Sequence, residues 1–159
     1  MATIDVVEFE IGGGEHYAFD IHLAREIVEM IPITPIPPGA PPYIAGIINL
    51  RGEITNVIRI NELLSLTEGK KVEDQKIIVL VSNGNEGSGI GIIVDEVHAV
   101  NAISEDDVEQ IGENISSDIN GFIKGIIMVR DVENSGKEGL VIWLDMEKIL
   151  GDLITRHQG

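Results

Sequence analysis

The sequence predicts a mainly β protein built from small barrels in two related halves. Three observations predict it. Short stretches of alternating apolar residues recur along the 159 residues, separated by glycine-containing turns, the signature of small barrels. All six prolines fall in one segment, "IPITPIPPGAPP" at 31–42, which marks a stiff extended connection between elements. The block Tyr43-Ile44-x-Gly46-Ile47-Ile48 returns as Phe122-Ile123-x-Gly125-Ile126-Ile127, and Arg51 is matched by Arg130. An apolar strand and a helical end follow both copies, as a duplicated unit requires.

The elements follow in order. In "IDVVEFEIGGGEHYAFDI", Val7, Phe9 and Ile11 alternate with polar neighbours, and so do Tyr17, Phe19 and Ile21 beyond the Gly12-Gly13-Gly14 turn; this is a hairpin. "DIHLAREIVEM" has helical spacing, with Leu23, Ala24, Ile27 and Val28 on one face and Asp20 as N-cap. After the prolines, "YIAGIINLRGEITNVI" reads as strands and "NELLSL" as one helical turn. "TEGKKVEDQ" is apolar-poor and reads as a surface loop, placing an internal boundary near 65–76. Strands return at "KIIVLV" and "GIGIIVDEVHAV", joined by "SNGNEGSG". Residues 104–120 form an acidic loop. "GFIKGIIMVR", a turn at "DVENSGKEG", the strand "LVIWL" and an amphipathic helix from "DMEKILGDLI" complete the chain. Upstream of each copy, "VVEFEIGGGEHYAFDIHLAREI" corresponds loosely to "IIVLVSNGNEGSGIGIIVDEVHAV", with Asp20 against Asp95. Exchange of strands between the halves fits this pattern.

Composition narrows the function. The chain is 43% apolar and carries a net charge of −16, so nucleic acid and anionic membranes are repelled. The acidity suits solubility or a salty cytosol, where surface repulsion is screened; a basic partner is the other reading. No apolar run reaches the roughly 18–20 residues that span a bilayer, and the N-terminus lacks the basic and apolar regions of a signal peptide. Without cysteine there are no disulfides, thiolate nucleophiles or cysteine zinc sites,.

Motifs suggesting chemistry fail on context. Gly87, Gly89 and Gly91 lead into a strand, whereas a dinucleotide fingerprint leads into a helix. Asp106, Asp107 and Glu109 lack EF-hand spacing. His16, His22, His98 and His157 are scattered. His22 and Glu26 lie i,i+4 on the expected helix, a spacing common to surface pairs. Asn114-Ile115-Ser116 is a glycosylation sequon without a secretion signal. Pro32 and Pro35 have PxxP spacing, but such short motifs recur by chance. No nucleophile motif is present. No catalytic residue, cofactor or metal is expected.

The pieces "VVEFEIGGGEHYAFDI", "PPYIAGIINLRGEITNVI", "GIIVDEV", "GFIKGI" and "LVIWLDMEKIL", spread in order over 6–150, resemble the CheW family of chemotaxis adaptors. The resemblance implies one CheW-like domain over 1–159, made of two SH3-like five-stranded β-barrels packed together, with short helices including a C-terminal one. It implies a cytoplasmic, non-enzymatic adaptor at receptor arrays on the inner face of the membrane. Its expected partners are the cytoplasmic helical tip of a chemoreceptor and the regulatory domain of a CheA-like histidine kinase, without nucleic acid or membrane insertion. A receiver or kinase ATP-binding domain finds no room in the length. An SH3-like peptide-binding module outside chemotaxis is the alternative. Asn56 and Arg59 depart from the family's usual proline and aspartate.

The resemblance also implies a receptor groove at Ala24, Glu26, Ile27, Arg51, Gly91, Val97 and Val100, with Gly46 and Gly52 as kinase contacts or turn residues. The family aligns a glutamate and an arginine at Glu26 and Arg51, so they are expected to form a half-buried ion pair fixing helix against strand. The competing reading makes Arg51 an exposed turn residue before Gly52, contributing little. The apolar positions also suit ordinary core, and the three glycines suit bulges or close backbone approach.

Overall fold

The computed structural model describes residues 3–12, 15–36, 39, 41–63, 72–81, 89–109, 122–131 and 137–151. The expected loops at 64–71, 82–88 and 110–121, most of the Gly12–Gly14 and 131–139 turns, the sequon, His157 and the end of the last helix lie outside the described residues.

Eleven strands are described. In order they are β1 (Thr3–Ile11), β2 (Glu15–Asp20), β3 (Ala24–Glu29), β4 (Ile44–Leu50), β5 (Glu53–Arg59), β6 (Lys76–Leu80), β7 (Gly89–Val94), β8 (Glu96–Ser104), β9 (Val108–Glu109), β10 (Ile123–Asp131) and β11 (Lys137–Leu144). A short helix α1 spans Ile60–Leu63, and a second, α2, spans 146–151. Asp145 starts α2, its Oδ1 accepting the Lys148 amide at 3.1 Å, as an N-cap does.

The strands form two sheets, ordered β8-β1-β2-β11-β10-β9 and β3-β6-β7-β5-β4. The expected helix after β2 is corrected. Only Ile21–Leu23 coil, as a 3-10 turn, and Ala24–Glu29 is a strand. Ala24, Glu26 and Val28 are half-buried while Arg25, Ile27 and Glu29 are exposed, which is period-two alternation. Antiparallel pairing with β6 decides the conformation, because the ladder bonds outweigh a weak local helical preference. Asp20 is therefore not a helix N-cap, and His22 and Glu26 do not share a helix face.

The duplication is visible in the register. β4 has a bulge between Ile44 and Gly46, and β10 one between Ile123 and Gly125. Thr34 bridges Ile47 as Glu109 pairs with Ile126. The Arg59 amide donates to Tyr43 O, and the Asp145 amide to Phe122 O, both at 2.7 Å. β5 runs parallel to β7, and β11 parallel to β2. Each repeat is thus a hairpin, a third strand, a short bridging segment, two long strands and a helix. The hairpins are exchanged: β1–β2 enter the sheet of β8–β11, while β6–β7 enter the sheet of β3–β5.

Two compact units result. One comprises 1–8, 16–21 and 99–159, the other 9–15 and 22–98. The boundary expected near 65–76 therefore falls inside the second unit, because β3, β4 and β5 share a sheet with β6 and β7. The first unit's core holds Val6, Ala18, Ile103, Ile127 and Val141, flanked by Ile4, Val108 and Trp143. The second holds Ala45, Ile48, Leu50, Val57, Ile77, Val79 and Ile93. Each fully buried valine, leucine or isoleucine among them contributes about 1.5–3 kcal/mol by leaving water.

In the second unit the chain 30–34 closes the barrel. β3 and β4 are the two sheet edges, and Met30, Ile31 and Ile33 pack on the core between them. Thr34 exchanges two backbone hydrogen bonds with Ile47, at 2.8 and 2.9 Å. The two residues between Pro32 and Pro35 are thus held in the barrel wall, as a stiff connection requires and a free PxxP ligand does not. Gly46 makes this approach possible. A Cβ there would fall 2.2 Å from Thr34 O, and φ is +148°, outside the range open to other residues.

Candidate functional site

The expected site residues Glu26 and Arg51 meet in the second unit. Leu50 and Glu53 pair across β4 and β5, leaving Arg51 and Gly52 as a two-residue turn. Their φ values are 51° and 89°, the two positive angles of a type I′ hairpin. Asn49 Oδ1 accepts the Gly52 amide at 2.9 Å. Gly52 fits this turn, and its Cα faces open space. Arginine fits it poorly, since a left-handed non-glycine residue costs roughly 1–2 kcal/mol.

The side chain gives Arg51 its use. Its Nη2 donates to Glu26 Oε2, joining the hairpin tip after β4 to β3, the opposite sheet edge. Glu26 lies on the same side of β3 as Val28, which packs on the core, and its side chain is 24% exposed against 63% for Arg51. The pair is therefore half-buried on the carboxylate side only, and it fixes strand against turn, not helix against strand. The Arg51 hydrogen bond holds the Glu26 carboxyl below its ordinary value, and the Glu26 bond raises the guanidinium.

Two further charges join the pair. Arg25 Nη1 donates to Glu53 Oε2 at 2.8 Å, and Arg25 Nε lies 3.6 Å from Glu26 Oε2. Sequence reasoning missed Arg25 and Glu53. Their signal was opposite charge close to a candidate: Arg25 adjoins Glu26, and Glu53 follows Arg51 by two residues.

The other expected positions are distributed. Glu26 pairs with Val79, Val79 with Gly91, Gly91 with Val57, and Val57 with Gly46. Glu26, Gly91 and Gly46 thus occupy one row across the sheet. Gly91 is tight: a Cβ would meet Ile77 Cγ2 at 2.8 Å. The room at Gly46 is taken by Thr34, which makes Gly46 a packing residue. Ala24 precedes a bulge in β3, and Ile27 is 45% exposed on the opposite strand face from Glu26. Val97 and Val100 lie on β8, an edge of the other sheet, Val100 being 57% exposed. Arg130 is no turn residue; it pairs with Glu138 within the longer β10–β11 ladder. Arg59 and Glu73 edge a pocket of about 550 Å³ beside Met30, Ile31 and Ala45.

In the first unit, Asp20 ends β2 and fastens the exchanged hairpin. Its Oδ1 accepts Trp143 Nε1 at 2.7 Å, and Lys124 Nζ lies 3.3 Å from Oδ2 and 4.9 Å from the indole centroid.

The described residues thus show a mainly β fold of two SH3-like barrels, with a polar cluster that ties a hairpin tip to an edge strand. The chain belongs to the CheW family: the CheW-like domain matches residues 5–153. It is 32% identical to the chemotaxis protein CheW of Treponema pallidum (strain Nichols) over 91% of this chain and 80% of that one. Identity to CheW of Thermotoga maritima is 28%, covering 99% and 94%. The structure of the scaffolding protein TtCheW from Thermoanaerobacter tengcongensis superposes with a TM-score of 0.72 at 31% identity, covering 91% of this chain and 85% of that one. Among the described residues, no helix is long and apolar enough to cross a membrane.

Proposed function

We propose that this chain is a non-catalytic chemotaxis adaptor. It couples the cytoplasmic helical tips of chemoreceptors to the regulatory domain of a CheA-like histidine kinase, in the cytoplasm at receptor arrays. Membership of the CheW family over nearly the whole chain supports the reading. The observation that carries it is Arg51. An arginine occupies a left-handed turn position where asparagine or glycine costs less,, and it spans two sheet edges to hold Glu26. Backbone strain retained beside an exposed charged tip points to use of that tip.

In this reading Glu26 and Arg51 set the shape of the docking end. Ala24, Ile27, Gly91, Val97 and Val100 complete the receptor surface, and Gly52 gives the kinase close approach at the turn. The receptor helix docks in a groove by its apolar face. Signalling then requires contacts that differ between the receptor's two states.

The test is binding of the purified protein to a receptor cytoplasmic fragment and, separately, to a CheA regulatory domain from the same organism. The reading expects saturable binding to both, weakened by Arg51→Ala while the melting temperature stays nearly constant. Unchanged binding of Arg51→Ala to both would remove the role given to the tip, and absence of wild-type binding would remove the adaptor reading.

A further inference from the structure

The β3 bulge supplies a second clamp on the same hairpin tip. In a regular strand, neighbouring side chains point to opposite faces. Here Ala24 pairs with Leu80 and Glu26 with Val79, so Arg25 is the extra residue. A bulge re-aims side chains, and the adjacent Arg25 and Glu26 both reach the β4–β5 turn. Glu26 takes Arg51 on one side of Gly52, and Arg25 takes Glu53 on the other. With Arg25 Nε 3.6 Å from Glu26 Oε2, the charges alternate in the order Arg51, Glu26, Arg25, Glu53, and the turn backbone through Gly52 closes the ring.

We infer that Arg25 and Glu53 are positioning residues for the docking end: they complete a four-charge ring that holds the turn, so that Arg51 presents its unused donors to a hydrogen-bond acceptor of the partner. The inference rests on the adaptor reading for its partner and on the ring geometry for its mechanism. Among the described residues Arg51 uses Nη2 on Glu26, and its side chain is 63% exposed, so further guanidinium N–H groups stand available to a partner. Arg25 and Glu53 side chains are 42% and 61% exposed. Pairs this exposed add little to global stability. Their effect is local, on where the turn stands.

The experiment compares wild type with Arg25→Gln, Glu53→Gln, the double variant and Arg25→Lys. It measures dissociation constants for the receptor fragment and the CheA regulatory domain, amide hydrogen exchange at Gly52, and the melting temperature. Each neutral single variant is expected to weaken binding of at least one partner roughly two- to fivefold. Each should also speed Gly52 exchange, with the melting temperature within about 2 °C of wild type. The double variant should cost no more than either single, because both remove the same bond, and Arg25→Lys should largely restore binding. Single variants that bind as wild type, or costs that add in the double variant, would overturn the inference. If wild type binds neither fragment, the adaptor reading and the docking role fall together. Gly52 exchange then judges the ring alone: faster, non-additive exchange supports it, and unchanged exchange overturns it.

Discussion

Arg51 and Glu26 show what single residues carry in this fold. The Arg51 hydrogen bond holds the Glu26 carboxyl below its ordinary value. A depressed folded-state value means that the ionised carboxylate is favoured by folding. This stabilisation is fully present above about pH 4.5 and is lost as pH falls through the lower folded value,. Glu26→Gln should therefore flatten the acid limb of the stability curve below that pH, as followed by denaturant midpoints from neutral pH down to about pH 3. An acid limb identical to wild type would show that the pair does not form in solution. Gly46 makes a sharper stability prediction. Gly46→Ala drives a methyl into Thr34 O and forces a positive φ, costing about 2–4 kcal/mol. Gly52→Ala meets open space and strains only the backbone, at about 1 kcal/mol. Thermal unfolding should rank the two variants in that order.

Elements were legible wherever local pattern and pairing agree. The β1–β2 hairpin alternates cleanly, and "IINLRGEIT" carries both its strands and its two-residue turn in the letters. β3 was misread because "LAREIVE" satisfies a helical and a strand period together; only the partner β6, far along the chain, decides between them. The same remoteness hid the clamp of Arg25 on Glu53, which depends on a bulge. Arg130 was matched to Arg51 by alignment, yet its hairpin is longer, so equal spacing from the glycine places it in a ladder. At this scale Asp20 is the testable latch. It replaces the expected helix cap with a bond from Trp143 across the exchanged strands. Asp20→Ala should cost about 1–2 kcal/mol by leaving that indole N–H unpaired, and tryptophan fluorescence should report the change of environment. A melting temperature equal to wild type would contradict the assignment.

At the scale of the whole molecule, the repeat was visible in the letters but the exchange of hairpins was only suggested by them. A sheet whose centre comes from the other repeat cannot be placed by a boundary along the chain, which is why 65–76 does not divide the units. The exchange makes each half dependent on the other. Fragments 1–63 and 72–159 should each fail to fold alone, because each has lost the hairpin its sheet needs, and should recover β-sheet circular dichroism on mixing. A fragment that folds cooperatively by itself would contradict the exchanged topology.

The adaptor reading concerns the entire chain, and receptor-coupled kinase activity tests it most directly. Receptor-bearing membranes and a CheA kinase from the same organism are combined with wild type or with Arg51→Ala, and phosphate incorporation into the kinase is measured with and without receptor ligand. The account predicts that wild-type protein brings kinase activity under receptor control and that Arg51→Ala fails to do so although it remains folded. Kinase activity indifferent to the protein, or control retained in full by Arg51→Ala, would contradict it.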